Sequence, residues 1–217
     1  MGTTKVSPHH REIPLSEDDV KVLVACEFSG TVRDAFRLKG HDAWSCDLLP
    51  CEGSQKFHIC GNVLDIVGDG WDMMIAHPPC THLAVSGARW FKDKQKEQAE
   101  ALQFVRALMS APMPMIALEN PVSIISSKIR KPDQIIQPWM FGHAEQKKTC
   151  LWLKGLCLLV ETNNVKREML MLPKRDRERL HYLPPSLNRW KERSRTFLGI
   201  AEAMANQWGS KVDNTNQ

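Results

Sequence analysis

Short apolar runs of strand length alternate along the 217-residue chain with longer stretches in which apolar residues recur every three or four positions. The first run, Lys21-Val-Leu-Val-Ala-Cys26, is followed by a turn at Glu27-Phe-Ser-Gly30. Val32, Ala35, Phe36 and Lys39 then share one helical face, with Thr31 placed to cap the helix and Gly40 to end it. His41 to Cys46 reads as a second strand closing on Asp47, and Val63 to Ile66 as a third short element ending around Asp65. Trp71 to Ala76 makes a fourth strand. Ala99, Leu102, Val105, Ala107 and Leu108 give the stripe of a helix that ends near Met109. Met115 to Leu118 is a fifth strand, Ile124 to Arg130 a short helix, and Thr149 to Leu153 a further strand stopped by Gly155. Phe197 to Trp208 closes the pattern as an amphipathic helix carrying Ile200, Ala203, Met204 and Trp208. Strands alternating with helices predict an α/β fold: a doubly wound, mostly parallel sheet with helices on both faces. One domain is expected from 21 to 209, between a flexible arm (1–20) and a polar tail (210–217).

The fourth strand stops at Pro78 and Pro79, which fix φ and donate no backbone hydrogen bond, and Cys80 follows at once. A side chain there sits at a strand's carboxyl end, where open α/β sheets place their ligand crevice. The same crevice collects the other strand ends: Phe28-Ser29-Gly30, Asp47, Asp65 and Glu119. A glycine turn lets a cofactor approach the backbone, an acid after the second strand can bind a ribose diol, and one after the third can accept from an adenine amino group. Each has a plainer reading. Asp47 and Asp65 can simply begin turns, and Cys80 can be a small buried hydrophobe. The ordered series is more specific than any member.

Composition narrows the class. With 42% apolar and 25% charged residues, the chain reads as an ordinary globular protein, and no run approaches a membrane span. The polar N-terminus lacks the apolar core of a secretion signal, and Val6 stands where myristoylation wants Ser or Thr, so a cytoplasmic location is expected. Seven cysteines without a framework read as thiols of a reducing compartment. Cys46, Cys51, His58 and Cys60 lack paired C-x-x-C knuckles, so no metal is expected. The net charge is +4, but between Glu161 and Arg195 ten basic residues face five acids, leaving that segment at +5 and the remainder at about −1. Such segregation fits a phosphate-backbone contact surface; a solvated basic loop is the plainer alternative.

Pairing Cys80 with Glu119 suggests a reaction. Cytosine C5 becomes nucleophilic once a thiolate adds to C6, and a carboxyl group at N3 offsets the charge that develops on the ring. Burial among apolar neighbours is expected to raise the Glu119 pKa for that purpose, and Lys148 can hold the base's carbonyl oxygen or activate the thiolate.

These residues resemble the S-adenosylmethionine-dependent DNA cytosine-C5 methyltransferases, most closely the short bacteriophage-encoded ones, from about Lys21 to Trp208. Phe28-Ser29-Gly30 is similar to the family's F-x-G cofactor turn, whose Phe packs on adenine. Asp47 and Leu48 stand where the ribose-binding acid and an adenine-packing neighbour are expected, and Asp65-Ile66 resembles the adenine-binding acid and its apolar neighbour. Pro79-Cys80 matches the Pro-Cys nucleophile, and Glu119-Asn120 the Glu-Asn pair that engages a flipped cytosine. Gln146-Lys147-Lys148 resembles the start of a Gln-x-Arg-x-Arg motif, with Lys148 for the first Arg and Cys150 for the second. The resemblance implies a single-domain Rossmann-like methyltransferase fold, S-adenosylmethionine as cofactor and double-stranded DNA as partner. It further implies a monomer working in the cytoplasm of a bacterial or phage-infected cell.

The chain also departs from that pattern. Val32 replaces the second glycine of the turn, Thr81 the Gln after the nucleophile, and Pro121 the Val after Glu-Asn. Residues 154–192 leave room only for a small basic target-recognition insertion. Ser194-Arg195 replaces an Asn-Ser near the cofactor's methionine part; Arg195 there can contact DNA or pair with the carboxylate of a carboxylated S-adenosylmethionine. Chemistry on a base in a duplex requires flipping. Val85 to Phe91 can close over the flipped base, with Ser86 and Arg89 as substrate contacts, Gly87 as hinge and Arg89 or Trp90 filling the gap; equally, Trp90 and Phe91 can start a core-facing helix. The rivals are an amino-group methyltransferase, in which His77 precedes the two prolines, a C5 transferase acting on free pyrimidine nucleotides, and an inactive DNA-binding relative.

Overall fold

The computed structural model describes residues 19–86 and 93–209. The N-terminal arm, the polar tail and Gly87, Arg89, Trp90 and Phe91 lie outside the described residues. Seven strands form one sheet: β1 (Lys21–Ala25), β2 (Asp42–Asp47), β3 (His58–Cys60), β4 (Met73–Ala76), β5 (Met115–Pro121), β6 (Gln134–Ile136) and β7 (Thr149–Lys154). Their order is β3-β2-β1-β4-β5-β7-β6. The five strands β1 to β5 run parallel, and β7 runs antiparallel to both β5 and β6. The chain winds outward from β1 to β3, then returns to lay β4 on the other side of β1. That reversal makes the β1/β4 boundary a topological switch point, where open sheets leave a crevice.

Alternation along each central strand explains why both faces must be covered. On one face Val22, Val24, Met73 and Ile75 pack with Phe36 of α1 (Thr31–Leu38) and with Met204 and Trp208 of α8 (Leu198–Trp208). On the other, Leu23, Ala25, Met74 and Ala76 meet Val105 and Leu108 of α2 (Gln95–Met109). β4 is fully buried along its length, so truncating Met74 or Ile75 to Ala costs about 2–5 kcal/mol. The Rossmann-like, mostly parallel α/β arrangement is as expected.

Two local expectations need correction, and one strand escapes the pattern. The third strand is His58–Cys60; Val63–Asp65 is a 3-10 turn whose start is capped by Asn62 Oδ1 on the Leu64 N–H. Strand β6, three residues at the sheet edge, has too little periodicity to read. Thr31 does not cap α1: Gly30 is the cap residue, and the Glu27 carboxylate accepts from the Val32 and Arg33 N–H groups at 2.7 and 3.2 Å. The basic segment folds into four short helices, α4 (Lys166–Met171), α5 (Lys174–Arg177), α6 (Arg179–Tyr182) and α7 (Arg189–Ser194), after α3 (Ile125–Lys128) earlier in the chain. Buried Leu159, Met169 and Leu180 lie along it.

Candidate active site

The turn after β1 is built around two unusual backbone positions. Cys26 takes a left-handed φ of 59° and donates to the Cys46 carbonyl, while Gly30 sits at φ 75°. A Cβ at Gly30 would lie 2.5 Å from Arg33 Nη2, so glycine is required twice over. Arg33 is wholly buried beneath the turn and donates to Ser45 Oγ, Cys51 Sγ and the Ser54 carbonyl; its Nη2 has no partner among the described residues. Burial raises the Glu27 pKa, against the opposing pull of His77 and the α1 N–H groups. Sequence reading missed Glu27 because its partners lie five and six residues on, in a helix the motif does not mention.

Around this turn the expected cofactor residues fall into two sets. Phe28 is buried, its ring centroid 5.4 Å from that of Trp190 in α7, and Ser29 Oγ donates to Glu27 Oε1. Asp47, at the end of β2, spends Oδ1 on the Leu49 N–H, the turn role weighed for it; its Oδ2 has no partner among the described residues. Leu48 is 75% exposed, Asp65 is exposed without a side-chain partner among the described residues, and Ile66 is half-buried. Arg195 lies across the crevice, its guanidinium held by Glu52 at 2.6 Å and Glu192 at 2.8 Å.

The surroundings of Cys80 come from β4, β5 and the approach to β7. Pro78 is buried and Pro79 exposed, and Cys80, half-buried, follows them. Its carbonyl accepts from Leu83 and Ala84, and the loop is stitched to the segment after β5 by Val85 N–H to Val122 and Ile124 N–H to Leu83. Asn120 Nδ2 donates to the Pro78 carbonyl at 2.9 Å, so Asn120 holds the loop that carries Cys80. Glu119 accepts a 3.1 Å hydrogen bond from His77 Nδ1. Burial pushes the Cys80 thiol up and the Glu119 charge adds to this, outweighing Lys147 and Arg193; the resting group is a thiol.

Glu119 differs from expectation. Burial raises its pKa, but the His77 hydrogen bond and the Lys147 charge more than reverse this, holding the carboxyl below its ordinary value of 4.5. The lysine acting on both Glu119 and Cys80 is Lys147, not Lys148, whose charge acts on Cys150 instead. Lys147 Nζ is fixed by the Arg193 carbonyl at 2.9 Å. Adjacent lysines entering β7 point different ways, and a motif match cannot choose between them. Gln146 and Ser86 are exposed, and the Gln146 N–H donates to the Arg177 carbonyl.

Glu119, Lys147, Thr149, Thr196, Phe197 and Ile200 enclose a void of about 10 Å³, room for at most one water. A larger hollow of about 320 Å³ opens by the start of β5 and the end of β7, away from these side chains. The cations lining it, Arg106, Arg130 and Lys154, all donate to backbone carbonyls. Among the described residues no cluster of three or more His, Cys, Asp or Glu can hold a metal, and no helix is long and apolar enough to cross a membrane.

Fold and site together define a doubly wound α/β protein with a thiol, a carboxylate and a lysine at one strand-end crevice. No family model and no curated protein matches the chain. Among solved structures it is similar to a prophage-encoded E. coli protein described as a DNA modification methyltransferase, with TM-score 0.46 and 15% identity over 72% of this chain. The chain spans 56% of that protein's length.

Proposed function

We propose that the chain is an S-adenosylmethionine-dependent DNA methyltransferase that alkylates C5 of a flipped cytosine through a covalent bond from Cys80. The observation that carries this reading is the meeting of the Cys80 thiol, the ionised Glu119 and Lys147 beside the turn that ends β1. The residues present fit the cofactor. Gly30 leaves the turn without a Cβ, Phe28 offers an aromatic ring, and Asp65 and Oδ2 of Asp47 are carboxylate oxygens without partners among the described residues. When bound, the cofactor supplies an electrophilic methyl group.

The protein's own residues account for the rest. As Cys80 Sγ bonds to C6 the S–H bond breaks and its proton passes through solvent to N3, where the ionised Glu119 accepts the new N3–H hydrogen bond. One proton leaves as another arrives, so the addition keeps the site's net charge, which suits a resting thiol beside a resting carboxylate. C5 would then take the methyl group with its enamine electron pair, the donor sulfur keeping the pair of the broken S–CH3 bond and leaving as a neutral thioether. Loss of the C5 proton to a base and cleavage of the C6–S bond restore aromaticity, and N3 returns its proton. Arg167, Lys174 and Arg175 are exposed and free of ion pairs among the described residues, which suits a phosphate-facing surface.

An amino-group transferase would use the residue before the two prolines to accept from the target amine; His77 Nδ1 is already committed to Glu119. Arg195, engaged by Glu52 and Glu192, favours an ordinary over a carboxylated donor. The test is a duplex carrying 5-fluorocytosine incubated with S-adenosylmethionine. A denaturation-resistant adduct is expected with the wild type and not with Cys80→Ser. Methyl transfer to an exocyclic amino group, with no adduct, overturns the reading.

A further inference from the structure

The reaction just described uses Cys80 and Glu119 and leaves His77 without a task. That side chain is 9% exposed and follows the last residue of β4. Its backbone is pinned on both sides: the His77 N–H donates to the Ala25 carbonyl, and the next carbonyl, that of Pro78, is held by Asn120. An ionised carboxylate only accepts, so His77 Nδ1 carries the proton of the 3.1 Å bond to Glu119 Oε2. Nε2 is buried and has no partner among the described residues. A histidine kept for packing would normally have both nitrogens satisfied; orphaned buried groups call for another explanation, such as a catalytic role. The titratable groups that bear on this pair are Glu27 from the turn after β1, Lys147 from the approach to β7, and the neutral Cys80 thiol on the same loop.

We propose that His77 is the positioning residue of the C5 reaction: it grips Glu119 through Oε2, leaves Oε1 for the base, and keeps the carboxylate ionised until N3 takes up its proton. This rests on the C5 reading above. Without His77, only the Lys147 charge is left to oppose burial, and Glu119 protonates at higher pH, where it no longer serves as the acceptor beside N3.

Two substitutions separate this from a packing role. His77→Phe keeps a ring and removes the donor, and His77→Asn keeps a neutral N–H. Both are measured in the full chain by the pH dependence of kcat and KM on duplex DNA, and by ¹³C titration of the Glu119 carboxyl without DNA. His77→Phe is expected to lower kcat by on the order of 10- to 100-fold with little change in KM. Its acid limb should move to higher pH, together with the Glu119 titration. His77→Asn should recover much of the rate, with a smaller shift in the same direction. An unchanged acid limb and an unchanged Glu119 titration in His77→Phe overturn the proposal. If that variant does not fold, an unchanged titration in His77→Asn does so. If the titration moves as expected but wild type forms no adduct with a 5-fluorocytosine duplex, the C5 reading fails while the pairing of His77 with Glu119 stands.

Discussion

The two sides of the crevice are built on opposite plans. On the β4–β5–β7 side the chemistry-bearing groups are half-buried or buried, and they hold one another: His77 on Glu119, Asn120 on Pro78, Lys147 on the Arg193 carbonyl. On the β1–β2 side only the turn itself is rigid, fastened by Glu27 and Arg33, while Asp47, Leu48 and Asp65 stand at an open rim. The first plan suits groups that must meet a transition state at fixed distance; the second suits groups that bind and release a ligand. On the proposed function, the comparison predicts that substitutions divide cleanly, one side changing kcat and the other KM for the cofactor.

The largest effect belongs to Cys80→Ser, which should cut methyl transfer to duplex DNA by on the order of 10³ or more while cofactor affinity, measured by calorimetry, survives. If affinity collapses too, the two sides are one unit. Glu119→Gln should cost about 10²- to 10³-fold in kcat and leave the cofactor KM alone. On the open rim, Asp47→Ala should weaken cofactor binding about tenfold with kcat nearly intact, the worth of one hydrogen bond to a charged group. Lys174→Gln and Arg175→Gln should each weaken duplex binding severalfold and flatten its salt dependence by about one unit of slope. An unchanged slope would favour a mononucleotide acceptor. The smallest effect is on stability in acid. Glu119 titrates lower in the folded protein, so its contribution is complete above its ordinary value of 4.5 and is lost as pH falls through the folded value. Thermal unfolding of Glu119→Gln should lack that part of the acid loss.

What was legible in the sequence follows from burial on two faces. β1 and β4 announce themselves because both sides of each strand are covered, so nearly every residue is apolar, and the paired prolines mark where β4 ends. β3 and β6 are three residues long at opposite edges of the sheet and only partly covered, so pairing rather than pattern makes them strands. Cys80 was visible just past the end of β4, and Glu119 as the first polar residue of the fifth strand. That strand does not stop at Leu118 but runs to Pro121, because β7 pairs with Glu119, Asn120 and Pro121. The protonation of Cys80 and Glu119 was not visible, because His77 reaches Glu119 across 42 positions and through space. Lys147 was hidden by its neighbour Lys148, and Glu27 by bonds to a helix beyond its own motif.

Helix α7 belongs to the basic segment, yet it rests on the turn that ends β1. Trp190 lies against Phe28, and Glu52 draws in both Lys191 and Arg195. The two rings are tilted, with centroids 5.4 Å apart, so a ligand that stacks on Phe28 would meet Trp190 beside it. On the proposed function, a cofactor that displaced Trp190 would alter duplex affinity, and thermodynamic linkage would make the exchange reciprocal: whatever factor the cofactor applied to duplex binding, the duplex would apply to cofactor binding.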